Sequence, residues 1–164
     1  RAPSGLRNLC MIRLMLDAGL RVSEVLSLQT LDLNWKTGQV TVRQGKGGKD
    51  RVLWLNQSTL DLLHAWFAAR PTRPELLFTT LRGTPLHDSY LRHLMKRLAR
   101  KASINKSIHP HTLRHTFATD IYRKTKNIRL VQKALGHADL SSTMIYTHIV
   151  DEELETAMKT FRDE

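Results

Sequence analysis

A mainly helical domain with one small antiparallel β-sheet of three strands is the fold this sequence predicts. Before Leu31 and after Leu55, apolar residues recur at helical spacing between Ser, Asn, Gly and Pro punctuation. Between those two positions the period changes to two. There Val40 and Val42 alternate with Thr41 and Arg43, and Val52-Leu53-Trp54-Leu55 is rich in strand formers.

The first helix is expected from about Ser4, as its N-cap, to Ala18, with Gly19 as its stop. It is apolar on most sides and so reads as central. A short helix from Val22 to Leu28 follows. Asn34-Trp35-Lys36-Thr37-Gly38 is a turn, which makes Leu31–Leu33 the first of the three strands. Asn56 or Ser58 caps the next helix, which runs to about Ala69 and stops before Pro71. Asp88 is expected to cap another, with Leu91, Leu94, Met95 and Leu98 on one face and Arg92, Lys96, Arg97, Arg100 and Lys101 largely elsewhere. Pro110 suits the first turn of a helix ending near Arg123 and buried along Leu113, Phe117 and Ile121. Ile128–Leu135 forms a further helix closed by Gly136. Ser141 or Ser142 opens a short one carrying Tyr146, and Leu154, Met158 and Phe161 mark a last helix from Glu152.

The bulk properties describe one domain, 164 residues long, able to bury a real core. Lys and Arg outnumber Asp and Glu by 26 to 15, a formal charge of +11, with a pI near 10.3. Such a surplus favours a polyanionic partner, because each neutralised phosphate releases condensed counterions. A basic surface without a specific partner carries the same surplus. The single cysteine, Cys10, lies in an apolar run and reads as a small core residue, which fits a reducing cytoplasm. Arg7, Arg13 and Asp17 interrupt the only long apolar stretch, so no transmembrane segment is expected. The chain opens on Arg1 rather than Met and is expected to be a fragment of a longer protein.

Four short blocks hold the residues suited to chemistry: Gly19-Leu20-Arg21-Val22-Ser23-Glu24, Gly45-Lys46-Gly47-Gly48-Lys49-Asp50-Arg51, His111-Thr112-Leu113-Arg114-His115 and Leu135-Gly136-His137, the last followed by Tyr146. Arginines, lysine, histidines and a phenol, with no acidic cluster for a metal, suit covalent attack on a phosphodiester. A phenol of pKa about 10 needs help to ionise, the transition-state charge needs fixed cations, and the leaving oxygen needs a proton. Arginine suits the non-bridging oxygens because its planar fork donates two parallel bonds.

Each block has a plainer reading. Arg21 alone is a surface arginine paired to Glu24. Gly45–Arg51 alone is a flexible hairpin loop with a solvated basic tip, and it lacks P-loop spacing. His111 and Arg114, at i and i+3, share one helix face near an N-terminus that itself favours phosphate. His111 and His115 have the i, i+4 spacing of zinc ligands, but HExxH and a nearby third ligand are absent, so no metal or other cofactor is expected. His137 after Gly136 passes as a helix cap. Among Tyr90, Tyr122 and Tyr146, the residues alone choose none as nucleophile.

In order and wording, the four blocks resemble the catalytic domain of tyrosine recombinases, the phage-integrase and Xer family, from about Leu6 to Thr147. The resemblance implies the fold of DNA breaking-rejoining enzymes and a site-specific DNA recombinase working through a 3′-phosphotyrosine intermediate. It makes Tyr146 the nucleophile and Arg21 and Arg114 the phosphate clamps, with Glu24 orienting Arg21. His111 becomes a proton carrier or phosphate ligand, His137 a phosphate ligand, and Lys46 the general acid, with Lys49 as the alternative. Lys49 and Arg51 would hold the hairpin on DNA. It further implies double-stranded DNA as partner, a tetramer on DNA for the full-length protein, and an N-terminal DNA-clamping domain before residue 1. The segment 151–164 is a C-terminal helix that either packs on its own domain or docks on a neighbouring protomer. A type IB topoisomerase shares the chemistry but religates the same strand, and the Xer-like wording argues against it. A non-catalytic basic DNA-binding protein and a metal-dependent nuclease are the other rivals.

Overall fold

The computed structural model describes residues 3–44, 48–136 and 143–160, the stretch 143–150 by its backbone. The first helix, α1 (Pro3–Ala18), begins with Pro3 in its first turn, where the missing N–H costs nothing. It buries Cys10, Met11, Leu14, Met15 and Ala18, and it packs against both α3 (Gln57–Ala69) and α5 (Pro110–Thr125). This is the central helix the sequence predicts. Gly19, at φ +67°, ends it in a conformation that favours glycine. The short α2 (Val22–Ser27) follows, one residue shorter than expected.

The sheet has two strands rather than three. β1 (Gln39–Val42) pairs antiparallel with β2 (Arg51–Trp54), Gln39 opposite Trp54 and Val42 opposite Arg51. The expected first strand is replaced by a 3-10 turn over Thr30–Asp32. Asp32 causes this: its carboxylate accepts the Gln29 backbone N–H at 2.9 Å and is itself buried against Arg43 at 2.7 Å. That curls the chain before a strand can form, and only Leu33 reaches β1, through a single bridge to Val40.

Of the two caps considered for α3, Asn56 serves, its Oδ1 accepting the Thr59 N–H at 2.9 Å. In α4 (Asp88–Lys101) the cap position belongs to His87, and Asp88 is the first helical residue. Its carboxylate instead takes an N–H from Arg92 one turn on, at 2.9 Å, and that bond first of all holds its pKa below the ordinary range. Leu91, Leu94, Met95 and Ala99 are buried, whereas Leu98 is largely exposed and Arg92, Lys96, Arg97, Arg100 and Lys101 face solvent.

α5 and α6 (Ile128–Leu135) close on a small apolar cluster of Phe117, Ala118, Tyr122, Val131 and Leu135. Burial of Phe117, Val131 and Leu135 contributes about 1.5–3 kcal/mol each. The main core lies between α1, α3, the hairpin and α4, with Trp66 fully buried and its Nε1 donating to the Leu77 carbonyl at 2.9 Å. The last two expected helices are one, α7 (Thr143–Thr160), since no Gly or Pro interrupts it. Ser141 and Ser142, the expected caps, lie outside the described residues.

Candidate active site

Three of the six residues singled out for catalysis meet in one place. Arg21, His111 and Arg114 line a cleft of about 430 Å³, with His109 and Pro110 on one wall and Asp88 and Arg92 of α4 on another. The local chain explains the convergence. Arg21 stands in extended backbone between α1 and α2, so its side chain leaves the helical surface at a junction. His111 and Arg114 occupy the first turns of α5, whose N-terminus lies at the same cleft. His109, to which the sequence assigned no role, precedes α5 at its cap position, and its ring Nε2 lies 2.8 Å from the Ser107 hydroxyl.

Arg114 is almost wholly buried, and its guanidinium is held from below. Nη1 donates to the Gly19 carbonyl at 2.5 Å and Nη2 to the Leu135 carbonyl at 2.7 Å. A guanidinium gripped this way keeps its orientation whether or not an anion is present. His111 is exposed, on the open side of the cleft.

Glu24 is the anchor beneath the site. Its carboxylate accepts the Arg21 backbone N–H at 2.9 Å, pairs with both terminal nitrogens of Arg51, and lies 3.8 Å from Arg114. Gln44 adds a fourth donor at 3.3 Å. Glu24 and Arg51 are both over nine-tenths buried. A buried pair of this kind holds only when the remaining lone pairs and protons are also used, and here they are. The Arg51 Nε donates to the Ala134 carbonyl at 2.7 Å.

The structure therefore places Arg51 inside the fold, whereas the sequence expected it on DNA beside Lys49. Lys49 is exposed. It shares a second groove of about 690 Å³ with Arg21, Gln44, Arg51, Lys133 and Gly136, so Arg21 borders both hollows. The i, i+3 spacing of Arg21 and Glu24 hinted at the capping contact, but no sequence signal joined Glu24 to Arg51, 27 residues further on.

Lys46 and His137 lie outside the described residues. Tyr146 falls in the first turn of α7. The other two tyrosines are engaged in holding the fold. Tyr90 Oη accepts from Arg7 Nη2 at 2.6 Å and donates to Asn8 at 3.0 Å, tying α1 to α4. Tyr122 Oη donates to Glu153 at 2.7 Å, and that bond, with burial, raises its pKa. Cys10 is buried, and desolvation pushes its thiol up to about 12. Among the described residues no group of three or more His, Cys, Asp and Glu gathers as a metal would require, and no helix is long and apolar enough to cross a membrane.

The chain itself matches a family model described as the phage integrase family over residues 1–153. The chain belongs to the phage integrase family. Among curated proteins of that kind it is 42% identical over 163 residues to tyrosine recombinase XerD of Ralstonia nicotianae, covering 94% of this chain and 52% of that protein. It is 38% identical to tyrosine recombinase XerD of Pseudomonas aeruginosa, covering 93% and 53%. The chain thus spans about half the length of the curated relatives it matches. Among solved structures, the XerA recombinase superposes with a TM-score of 0.82 at 33% identity, over 98% of this chain and 60% of that one. The XerH site-specific recombinase, captured on a palindromic difH substrate after cleavage, gives 0.80 at 34% identity, over 100% and 48%. The mainly helical fold is that of phage integrase catalytic domains.

Proposed function

We propose that the protein containing this chain is a site-specific DNA recombinase that cuts and rejoins double-stranded DNA through a phosphotyrosine. The observation that carries the reading is the meeting of Arg21, His111 and Arg114 in one cleft, on a scaffold of the phage integrase family. In the proposed step His111, as proton carrier, takes the Tyr146 hydroxyl proton while the phenolic oxygen attacks phosphorus. A bond from Tyr146 to the 3′-phosphate forms as the bond to the 5′-oxygen breaks. Arg21, Arg114, His111 and His137 carry the charge of the pentacoordinate phosphorus, and Lys46 protonates the leaving 5′-oxygen. A 5′-hydroxyl from a partner strand then reverses the link, so bond energy is conserved without ATP or metal.

Two further observations support this reading. Tyr90 and Tyr122 are spent on structural bonds, and the raised pKa of Tyr122 makes it a poorer candidate. Arg114 is preoriented by backbone carbonyls, so aligning it at the moment of reaction costs little. Lys49, exposed on the same loop as Lys46, is the alternative proton donor and otherwise a DNA contact. The exposed cations of α4, whose first turn borders the cleft, suit the flanking duplex.

For the whole protein we propose an N-terminal DNA-clamping domain, a tetramer on two duplexes, and a cytoplasmic location with its DNA. The C-terminal helix would dock on a neighbouring protomer. In support, Leu154 and Met158 of α7 are 55% and 64% exposed rather than packed on their own domain.

The test is covalent trapping on a nicked suicide duplex in EDTA, with wild type beside Tyr146→Phe. The reading predicts a denaturant-resistant adduct with wild type and none with the variant. Salt-sensitive binding without any adduct would favour a non-catalytic DNA-binding protein instead.

A further inference from the structure

We infer that Arg51 is a positioning residue for the proton donor of the hairpin, acting through Glu24 and α6 rather than by touching DNA. The inference rests on the proposed recombinase chemistry, in which a lysine of the loop between β1 and β2 protonates the leaving oxygen.

The loop is suspended from two stems, Gln44 and Arg51, and both are bonded to one buried carboxylate. Gln44 Nε2 donates to Glu24 Oε2 at 3.3 Å, and Arg51 engages both oxygens of Glu24 through its two terminal nitrogens. The Asp50 carboxylate accepts the Gln44 backbone N–H at 3.1 Å and draws the neck together. The third donor of Arg51, its Nε, is fixed to the Ala134 carbonyl at 2.7 Å. At 7% exposure this guanidinium turns into the fold.

The same two elements carry the phosphate clamp. Arg114 lies 3.8 Å from Glu24 and donates to Leu135, the residue after Ala134. Root of the hairpin and phosphate clamp are therefore referred to a common carboxylate and a common helix end. In the sequence, Lys46 has glycine on both sides, and glycine restricts a backbone least of all residues. A proton donor nevertheless works only when held within about 0.5 Å of its productive geometry. The Arg51 fork supplies that reference, and lysine cannot replace it, because one ammonium cannot span two carboxylate oxygens and a carbonyl in fixed directions.

The test separates proton delivery from every other role. Full-length protein is given two suicide duplexes, one ordinary and one with sulfur replacing the bridging 5′-oxygen at the scissile phosphate. A thiolate departs without being protonated, so a variant defective only in the proton donor recovers on the sulfur substrate. Single-turnover adduct formation is measured for wild type, Arg51→Met, Arg51→Lys, Gln44→Ala, Lys46→Ala and Lys49→Ala, alongside DNA affinity. Arg51→Met should lose about 100-fold on oxygen, the low end for general-acid catalysis, and less than about 3-fold on sulfur. DNA affinity should be unchanged, and Arg51→Lys should behave alike. If Arg51→Met does not fold, Arg51→Lys and Gln44→Ala decide the matter by the same ratio. Equal losses on both substrates, or weakened DNA binding with an unchanged rate, would overturn the inference. If neither lysine variant recovers on sulfur, the general-acid reading itself falls and the inference with it, while a wild-type adduct absent from Tyr146→Phe would leave the nucleophile standing.

Discussion

Arg51 and Arg114 hold consecutive carbonyl oxygens at the end of α6, Ala134 and Leu135, each at 2.7 Å, and both lie against the carboxylate of Glu24. One anion thus joins the hairpin, Arg114 and the end of α6. That joint and a second one, at Glu153, both have measurable consequences.

Replacing Glu24 by Gln removes the carboxylate that pairs with the buried Arg51 guanidinium. Removing one partner of a buried pair costs about 3–5 kcal/mol, far more than the pair itself contributes over apolar residues of like volume. Urea denaturation of Glu24→Gln should show a loss of that order. A loss below about 1 kcal/mol would mean that water reaches the carboxylate.

Gly19→Ala should damage both stability and Arg114. The position is at φ +67°, and an added Cβ would come within 2.3 Å of the Phe117 ring. Strain and overpacking together predict a cost of about 1–3 kcal/mol. Because the Gly19 carbonyl accepts from Arg114, adduct formation should fall even at temperatures where the variant stays folded. Thermal denaturation and trapping at low temperature check the two effects separately.

The bond between Tyr122 and Glu153 anchors α7, the helix that contains Tyr146, to α5. Lys126 pairs with the same carboxylate, and its hydrogen bond, followed by that from Tyr122, depresses the Glu153 pKa. A depressed carboxyl stabilises above its unfolded value and loses that contribution as pH falls through the folded one, so this half fails below about pH 4. The Tyr122 phenol is raised, so its half is present below its unfolded value, about pH 10, and is lost only as pH rises through the higher folded value. The anchor therefore holds across neutral pH. Hydrogen exchange at neutral pH should quicken over residues 151–160 in Glu153→Ala and in Tyr122→Phe.

The solvent face of α4 should contribute to DNA binding through phosphate. Lys96→Ala and Arg100→Ala should each lower the slope of log affinity against log salt by about 0.9 for every phosphate the native side chain neutralises. Binding titrations over a range of salt concentrations measure this. An unchanged slope would place α4 away from the duplex.

Much of this was legible in the chain because local rules governed it. Gly19 ends α1, Asn56 caps α3, Pro110 opens α5, and the apolar stripes set which faces are buried. The convergence of Arg21, His111 and Arg114 followed from block order matched to a family, a longer-range signal than any periodicity. Two departures from the sequence reading depended on distant partners. Asp32 curls the chain after Gln29 instead of letting Leu31–Leu33 join the sheet, and its burial is balanced by Arg43. In sequence Arg51 reads as the end of a basic hairpin loop, until Glu24 is brought beside it by the fold. The apparent break between a short Tyr146 helix and a terminal one had no Gly or Pro to enforce it, and the helix continues.

In the proposed mechanism Tyr146 becomes bonded to DNA. The most direct measurement is to digest the trapped adduct with protease and nuclease and locate the nucleotide-bearing peptide by mass spectrometry. The account predicts a 3′-phosphate ester on the peptide containing Tyr146. A nucleotide on Tyr90, Tyr122 or a serine, or a link to a 5′-phosphate, would contradict it.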